Sequence, residues 1–410
     1  MRCGRTIALV LLLAPAMPAA AITGIDQEED VSDLLVTRPD EYGEEEETEA
    51  RRWAVLPKVG YGPDTGPLGG IKFTHRDLFD SGVTLDAEGD YSLNQQQGLS
   101  LGVGAPDVFD DRRFLILLNV GYDLDPQRDF FGLGNNDVGP DPASTHEERD
   151  IGGELTLGWR PFRGALAVTA SVGLRHVDIE DGDRDGDTPF TPDLFPDLPG
   201  IDGGFVMPLG LAVVYNGRDD LIWPTRGWRL IAKVSHTNRK LKSDFEFTRV
   251  VVDAGYLYSF GGGRHVLGAR LSGGWIDGPQ QDVPFWELTE LGGDDTLRGY
   301  FPRRYLGQAH ALFNAEYRVK LFAFDFFDIW RVQVAGAAFA DIGRVFINQG
   351  DLDDEFDLTD EVINRLTSNV RYSYGAGLRF ILSRAIIARV DVGFSEEEIG
   401  LVYLRFGHTF

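Results

Sequence analysis

LVYLRFGHTF, residues 401–410, reads as a β-strand that the chain leaves unfinished. Phe410, Phe406, Leu404 and Val402 share one parity, while Tyr403, Arg405, Gly407 and Thr409 share the other. A strand sends alternate side chains to opposite faces, so this one has an apolar and a polar side. At the rim of an open sheet it would expose an unpaired edge. Closure into a barrel removes that edge, and a bilayer demands closure because it offers no water to unpaired backbone groups.

Upstream segments repeat the pattern. In HALFNAEYRVKLF, residues 310–322, Phe313, Ala315, Tyr317, Val319 and Leu321 oppose Asn314, Glu316, Arg318 and Lys320. In VRYSYGAGLRF, residues 370–380, Tyr372, Tyr374, Ala376, Leu378 and Phe380 oppose Arg371, Ser373, Gly375, Gly377 and Arg379. In IARVDVGF, residues 387–394, Ala388, Val390, Val392 and Phe394 oppose Arg389, Asp391 and Gly393. A helix would not keep such parity, and a sandwich core would not accept charges of both signs on one face. A water-filled lumen does.

Segments of this kind run from Trp53 to the end and number about sixteen, within the even-numbered range of bacterial barrels. The alternation is weakest in the first, around residues 56–61, and in the fourth, 98–103. Short links (160–164, 259–265, 382–385) alternate with long ones (roughly 123–149, 178–203, 277–309 and 347–369), an asymmetry that outer-membrane barrels share. With the first strand entering from the periplasm, the long loops face outward. The fold expected is therefore all-β: a closed antiparallel transmembrane β-barrel over residues 53–410. A soluble sandwich or propeller is the alternative.

Glycine is abundant at 50 residues, aromatics reach 11%, and no run of apolar residues is long enough for a membrane helix. Residues 1–21 read as a signal peptide: Arg2 and Arg5, an apolar core over residues 7–14, and small residues at Ala19, Ala20 and Ala21. The one cysteine, Cys3, falls inside it, so neither disulfides nor thiol chemistry is expected. Residues 22–52 read as an acidic, flexible periplasmic segment. A net charge of −26 excludes a basic nucleic-acid-binding surface.

Two motifs stand out. LGGDDTLRGY, residues 291–300, lies between the eleventh and twelfth predicted strands, which makes it part of the sixth outer loop. AFADIGRVF, residues 338–346, lies in the thirteenth and puts Phe339, Asp341 and Gly343 on the face that Arg331 and Gln333 mark as lumen. The pair resembles the signature of the BamA/TamA superfamily (bacterial surface antigen barrels), in which a sixth loop folded into the lumen carries an R-G-F/Y tip and a later strand carries F-x-D-x-G. YNGRDDLIWPTRGW (215–228), FFGLGN (130–135) and SYGAGLRF (373–380) resemble further family segments. The likeness covers roughly residues 55–410.

The resemblance implies that Arg298 points into the lumen and pairs with Asp341, with Glu316 as a second acceptor, Gly299 letting the loop approach the wall and Gly343 leaving room. Tyr300 completes the tip. Arginine and carboxylate form a two-point contact that fixes orientation as well as position. Such a lock either merely plugs and stabilises the barrel or also holds a substrate-active state.

DGDRDGD, residues 181–187, offers alternating carboxylates at Asp181, Asp183, Asp185 and Asp187, as the first half of a calcium loop does. Pro192 stands where the bidentate glutamate belongs, so an EF-hand is excluded. A looser calcium site competes with a solvated acidic tip. No cofactor is otherwise implied. No H-E-x-x-H, G-x-S-x-G or phosphate-binding loop occurs, and no enzyme is expected.

The resemblance implies insertion or translocation of outer-membrane proteins, with lipids and unfolded clients as partners. Family members usually carry POTRA modules ahead of the barrel. Residues 22–52 cannot hold one, so client delivery would fall to a periplasmic accessory protein. A plugged pore, lipid-handling or structural surface barrel is the competing function, and a nutrient porin is a third, disfavoured by a loop in the lumen.

Overall fold

The computed structural model describes residues 52–108, 113–135, 139, 141–161, 165–183, 186–220, 223–326, 330–346, 369–382 and 386–406. The signal peptide, the acidic segment, Asp185 and Phe410 lie outside the described residues.

The chain opens with β1 (Trp53–Gly62), β2 (Gly66–Leu78), β3 (Val83–Ser92), β4 (Gln97–Val108), β5 (Phe114–Phe130), β6 (Ser144–Trp159) and β7 (Leu166–Glu180). There follow β8 (Gly204–Val206), β9 (Leu209–Asn216), β10 (Gly227–Thr237), β11 (Phe247–Phe260) and β12 (His265–Asp277). A small hairpin, β13 (Thr289–Leu291) with β14 (Tyr305–Gly307), precedes β15 (Ala309–Phe326), β16 (Trp330–Phe346), β17 (Arg371–Leu382), β18 (Ile386–Phe394) and β19 (Leu401–Phe406).

Seventeen strands form one antiparallel sheet that closes through a β1–β19 pairing. The short β8 and β9 both pair with β7 and are halves of one stave, interrupted at Met207 and Pro208. Proline lacks the N–H a ladder needs, but its carbonyl still accepts from Gly173 N at 2.9 Å. The barrel therefore has sixteen staves, as the alternation predicts. Strands one and four are longer than the weak alternation suggests.

One expectation needs correction. The long connection expected at 123–149 is shorter: β5 runs to Phe130 and β6 starts at Ser144. The residues read as loop are lumen-facing charges that satisfy one another, Arg128 reaching Asp123, Asp125 and Glu148. Near Leu321 the register with β16 shifts by one, so Leu321 and Phe322 both end up exposed outside. A bulge of this kind carries no parity signal before the structure is seen.

Outward side chains form the surface a bilayer requires. Leu99, Ile116, Leu155, Leu211 and Leu271 are exposed on the outer face. Trp53, Trp159, Trp228 and Phe324 ring the end with short turns, and Tyr61, Trp275, Tyr372 and Tyr374 ring the end with long loops. Aromatic girdles at both interfaces are the mark of such barrels.

At the loop end, over the β5–β12 half, an apolar cluster of Phe130, Ile201, Phe247, Val283, Phe285 and Trp286 joins the long connections into a cap. A single-turn helix, α1 (Thr191–Leu194), docks there. Its Thr191 hydroxyl meets Ser144 at 2.9 Å and His146 at 3.0 Å.

Candidate functional site

The lumen faces of β15, β16 and β17 supply one cross-strand row. Asn314 stands opposite Asp341, and Asp341 opposite Ser373. Side chains at directly facing positions lie side by side, so the row presents an amide, a carboxylate and a hydroxyl at one height. Connection 278–308, the sixth of the long series, descends onto it. Its β13–β14 hairpin forms the stem, and residues 292–304 form a tip packed inside the barrel.

Arg298 is fully buried at that tip. Its Nε donates to Asp341 Oδ2 at 2.9 Å and its Nη2 to Asp341 Oδ1 at 2.7 Å. Nη1 donates to Glu316 Oε2 at 2.6 Å, and the backbone N–H of Arg298 adds a bond to Asp341 at 3.2 Å. The guanidinium lies 3.6 Å above the Phe339 ring. Carboxylate fork, second carboxylate and ring face together hold the arginine from three directions.

The carboxylates are themselves held. Asp341 accepts from Asn314 at 2.8 Å and from Ser373 at 3.2 Å. Glu316 accepts from Arg318 at 2.6 Å and from Arg379 at 3.1 Å, and Arg379 reaches Asp391 at 2.6 Å. Buried charges survive only when so compensated. Sequence reading found Arg298, Asp341, Glu316 and Phe339 and missed Asn314, Ser373, Arg379 and Asp391. Their inward parity was visible, but which lumen side chains meet across a barrel is decided by register.

Gly299 takes its expected place. A Cβ there would lie 2.5 Å from the Phe394 carbonyl oxygen. The wall glycine that accommodates the tip, however, is Gly393 on β18, where a Cβ would fall 1.8 Å from the Arg298 carbonyl oxygen. Gly343 instead makes room for Leu291 of the stem. Gly343 thus leaves room for the loop as expected, at its stem, while at the tip Gly299 and Gly393 meet face to face beside β18.

Further contacts tie the loop to the last strands. Tyr403 on β19 donates its hydroxyl to the Tyr300 carbonyl at 2.9 Å. Arg389 reaches Asp294 and Asp295, both at 2.6 Å, and Arg405 reaches Asp294 at 3.1 Å. Arg304 forks onto Glu397 of connection 395–400 at 2.7 and 2.8 Å. Burial alone would push Asp294 up, but Arg405 and Arg389 outweigh it and hold the carboxyl below its usual range. The Tyr300 phenol is pushed up to about 12 by burial and by Glu396 and Glu397.

Beside the loop lies the seam. Among the described residues β1 and β19 share a single ladder pair, Tyr61 opposite Leu404. On its other side β1 is in register with β2 from Trp53–His75 to Gly62–Gly66, and β19 is in register with β18 over its whole described length. Leu404 and Phe406 share the parity of exposed Val402, with Leu404 half-buried and Phe406 buried.

The acidic run at 181–187 behaves differently. Asp181, Asp183 and Asp187 are exposed, and Asp183 accepts from Gln95 at 3.1 Å. Among the described residues no three carboxylate, histidine or cysteine side chains are grouped to hold a metal ion.

Residues 77–410 match the family model of the Omp85 superfamily domain. Solved structures similar in fold include BamA from Haemophilus ducreyi lacking POTRA domains 1-3, with TM-score 0.62 and 17% identity over 87% of this chain and 70% of that one. CdiB from Escherichia coli follows with TM-score 0.57 and 12% identity, covering 86% of this chain and 62% of that one. CdiB from Acinetobacter baumannii gives 0.50 and 10%, covering 86% and 59%. The chain thus spans about three fifths of either CdiB chain. No curated protein sequence matches it.

Proposed function

The chain belongs to the Omp85 superfamily and is an outer-membrane β-barrel, and from that premise we propose that it aids the insertion or translocation of outer-membrane polypeptides. In this reading the β1–β19 seam opens sideways and lends its edge to an incoming strand, the backbone hydrogen bonds supplying affinity without sequence preference. The observation that carries the reading is the seam itself: among the described residues it has one ladder pair, where the neighbouring joints β1–β2 and β18–β19 are paired along their described length. An edge so lightly paired is the cheapest place in the sheet to expose. The partners are lipids of the outer membrane, unfolded β-barrel clients and a periplasmic accessory protein that delivers them.

The test is reconstitution in liposomes of a barrel carrying Tyr61→Cys and Leu404→Cys. With the pair reduced, an unfolded outer-membrane client should fold faster than in empty liposomes. Oxidation to the seam disulfide should abolish the gain. Ion conductance or lipid exchange without any folding gain would instead make the protein a plugged pore or lipid-handling barrel.

A further inference from the structure

Side chains of β19 and of the plug loop gather at the loop end of the seam. Arg405, on β19, extends across to the end of β1: a Cβ on Gly62 would lie 3.7 Å from its Nη2. There it shares a lumen cavity of about 160 Å³ with Asp64, which follows β1, and with Asp294 of the plug loop. Asp294 accepts from Arg405 at 3.1 Å and from Arg389 at 2.6 Å, so one buried carboxylate joins both final strands. Two residues before Arg405, fully buried Tyr403 holds the Tyr300 carbonyl, which also accepts from Gly293 at 3.0 Å. Both inward-facing side chains at the middle of β19 therefore grip the same loop.

We propose that Asp294 and Arg405 form a latch through which the seated loop keeps β19 against β1, so that the seam opens only when the loop lets go. The aspartate anchors the guanidinium within the lumen. The guanidinium in turn sits at the junction where Gly62 and Asp64 complete the β1 side. With the loop withdrawn, Arg405 loses the carboxylate it bonds and Tyr403 its acceptor, leaving β19, among the described residues, with a single backbone pair toward β1. The pair Arg298–Asp341 sets whether the loop is seated; the pair Asp294–Arg405 transmits that state to the seam.

The latch matters to function only under the reading above, but its test does not depend on client folding. Spin labels on Tyr61→Cys and Leu404→Cys, both on the outward parity, report the seam distance in nanodiscs. Barrel assembly is checked by heat-modifiable gel migration. Asp294→Asn and Arg405→Gln should each raise the separated population roughly tenfold, as residues coupled within one ion-pair network do. The double variant should add little beyond the larger single effect. Unchanged distances in the single variants, or effects that add independently, overturn the latch. If the variants fail to assemble, amide exchange at Tyr403, Leu404 and Arg405 in Asp341→Ala serves instead. Faster exchange there supports the latch, and exchange equal to the parent's refutes it. A seam that responds in a barrel that never accelerates client folding would retain the latch and remove the insertase reading.

Discussion

Arg298 is where this molecule concentrates its electrostatic risk. Its guanidinium is wholly withdrawn from water, and each nitrogen has a carboxylate partner in Asp341 or Glu316. Removing one partner from such a pair strands the other charge and costs about 3–5 kcal/mol. Asp341→Ala is therefore expected to free the loop, seen as new protease cleavage within residues 278–308; continued protection would mean the loop is held elsewhere. Gly393→Ala makes the same point without touching a charge. A Cβ there would overlap a backbone carbonyl, which cannot swing away as a side-chain end can. The same cleavage sites are expected, with Arg298 and Asp341 both intact. Residues of the first kind were readable in advance, because parity put Asp341 and Glu316 in the lumen and the motif pointed Arg298 at them. Gly393 was not, since a glycine in an alternating strand looks the same whether it faces water or a loop backbone.

Connections between strands show the same division between local and long-range information. The segment 215–228 was marked by its resemblance to the family, and one side chain organises the described ends of the turn it contains. Asp219 Oδ1 accepts from the backbone N–H groups of Thr225 and Arg226 at 2.8 and 3.0 Å, and its Oδ2 accepts from the Thr225 hydroxyl at 2.6 Å. Partial burial works against the charge, but these donors prevail and hold the carboxyl below the usual range. A carboxyl lowered on folding stabilises the folded turn above its unfolded value, near pH 4, and that contribution disappears as pH falls through the lower folded value. Amide exchange at Thr225 and Arg226 should accelerate on acidification below about pH 4 relative to other turns. In Asp219→Asn the acid dependence should vanish. The lengths of β5 and β6 were harder to foresee. Their upper halves carry Asp123, Asp125, Arg128, Glu148 and Asp150, a composition that suggests solvated loop until the opposite strands are known. Pairing along β5 and with its neighbour β6 turns those charges into wall.

Closure of the whole cylinder was anticipated from parity alone, because a period of two with charges on one side has no stable home in a soluble layer. What parity could not give was the inequality of the joints, in particular the single pair that the described residues form at the seam. The same cylinder makes a prediction about its solvent that owes nothing to the loop. Trp53, Trp159 and Trp228 stand half exposed at the turn end, and Trp275 at the loop end. Trp286 is buried in the cap, where it donates its indole N–H to the Gly200 carbonyl at 3.0 Å. If the outer wall meets lipid, acyl chains brominated near the headgroups should quench the first four strongly and chains brominated near the bilayer centre much less, since girdle residues sit at the interfaces. A variant retaining Trp286 alone should fluoresce equally in brominated and plain bilayers. Quenching of that buried indole by brominated chains would mean that lipid enters the cap, and absent quenching of the girdle would mean that another protein layer covers the wall. Either result would break the link between alternating residues and a sealed boundary on which the placement of loop, latch and seam depends.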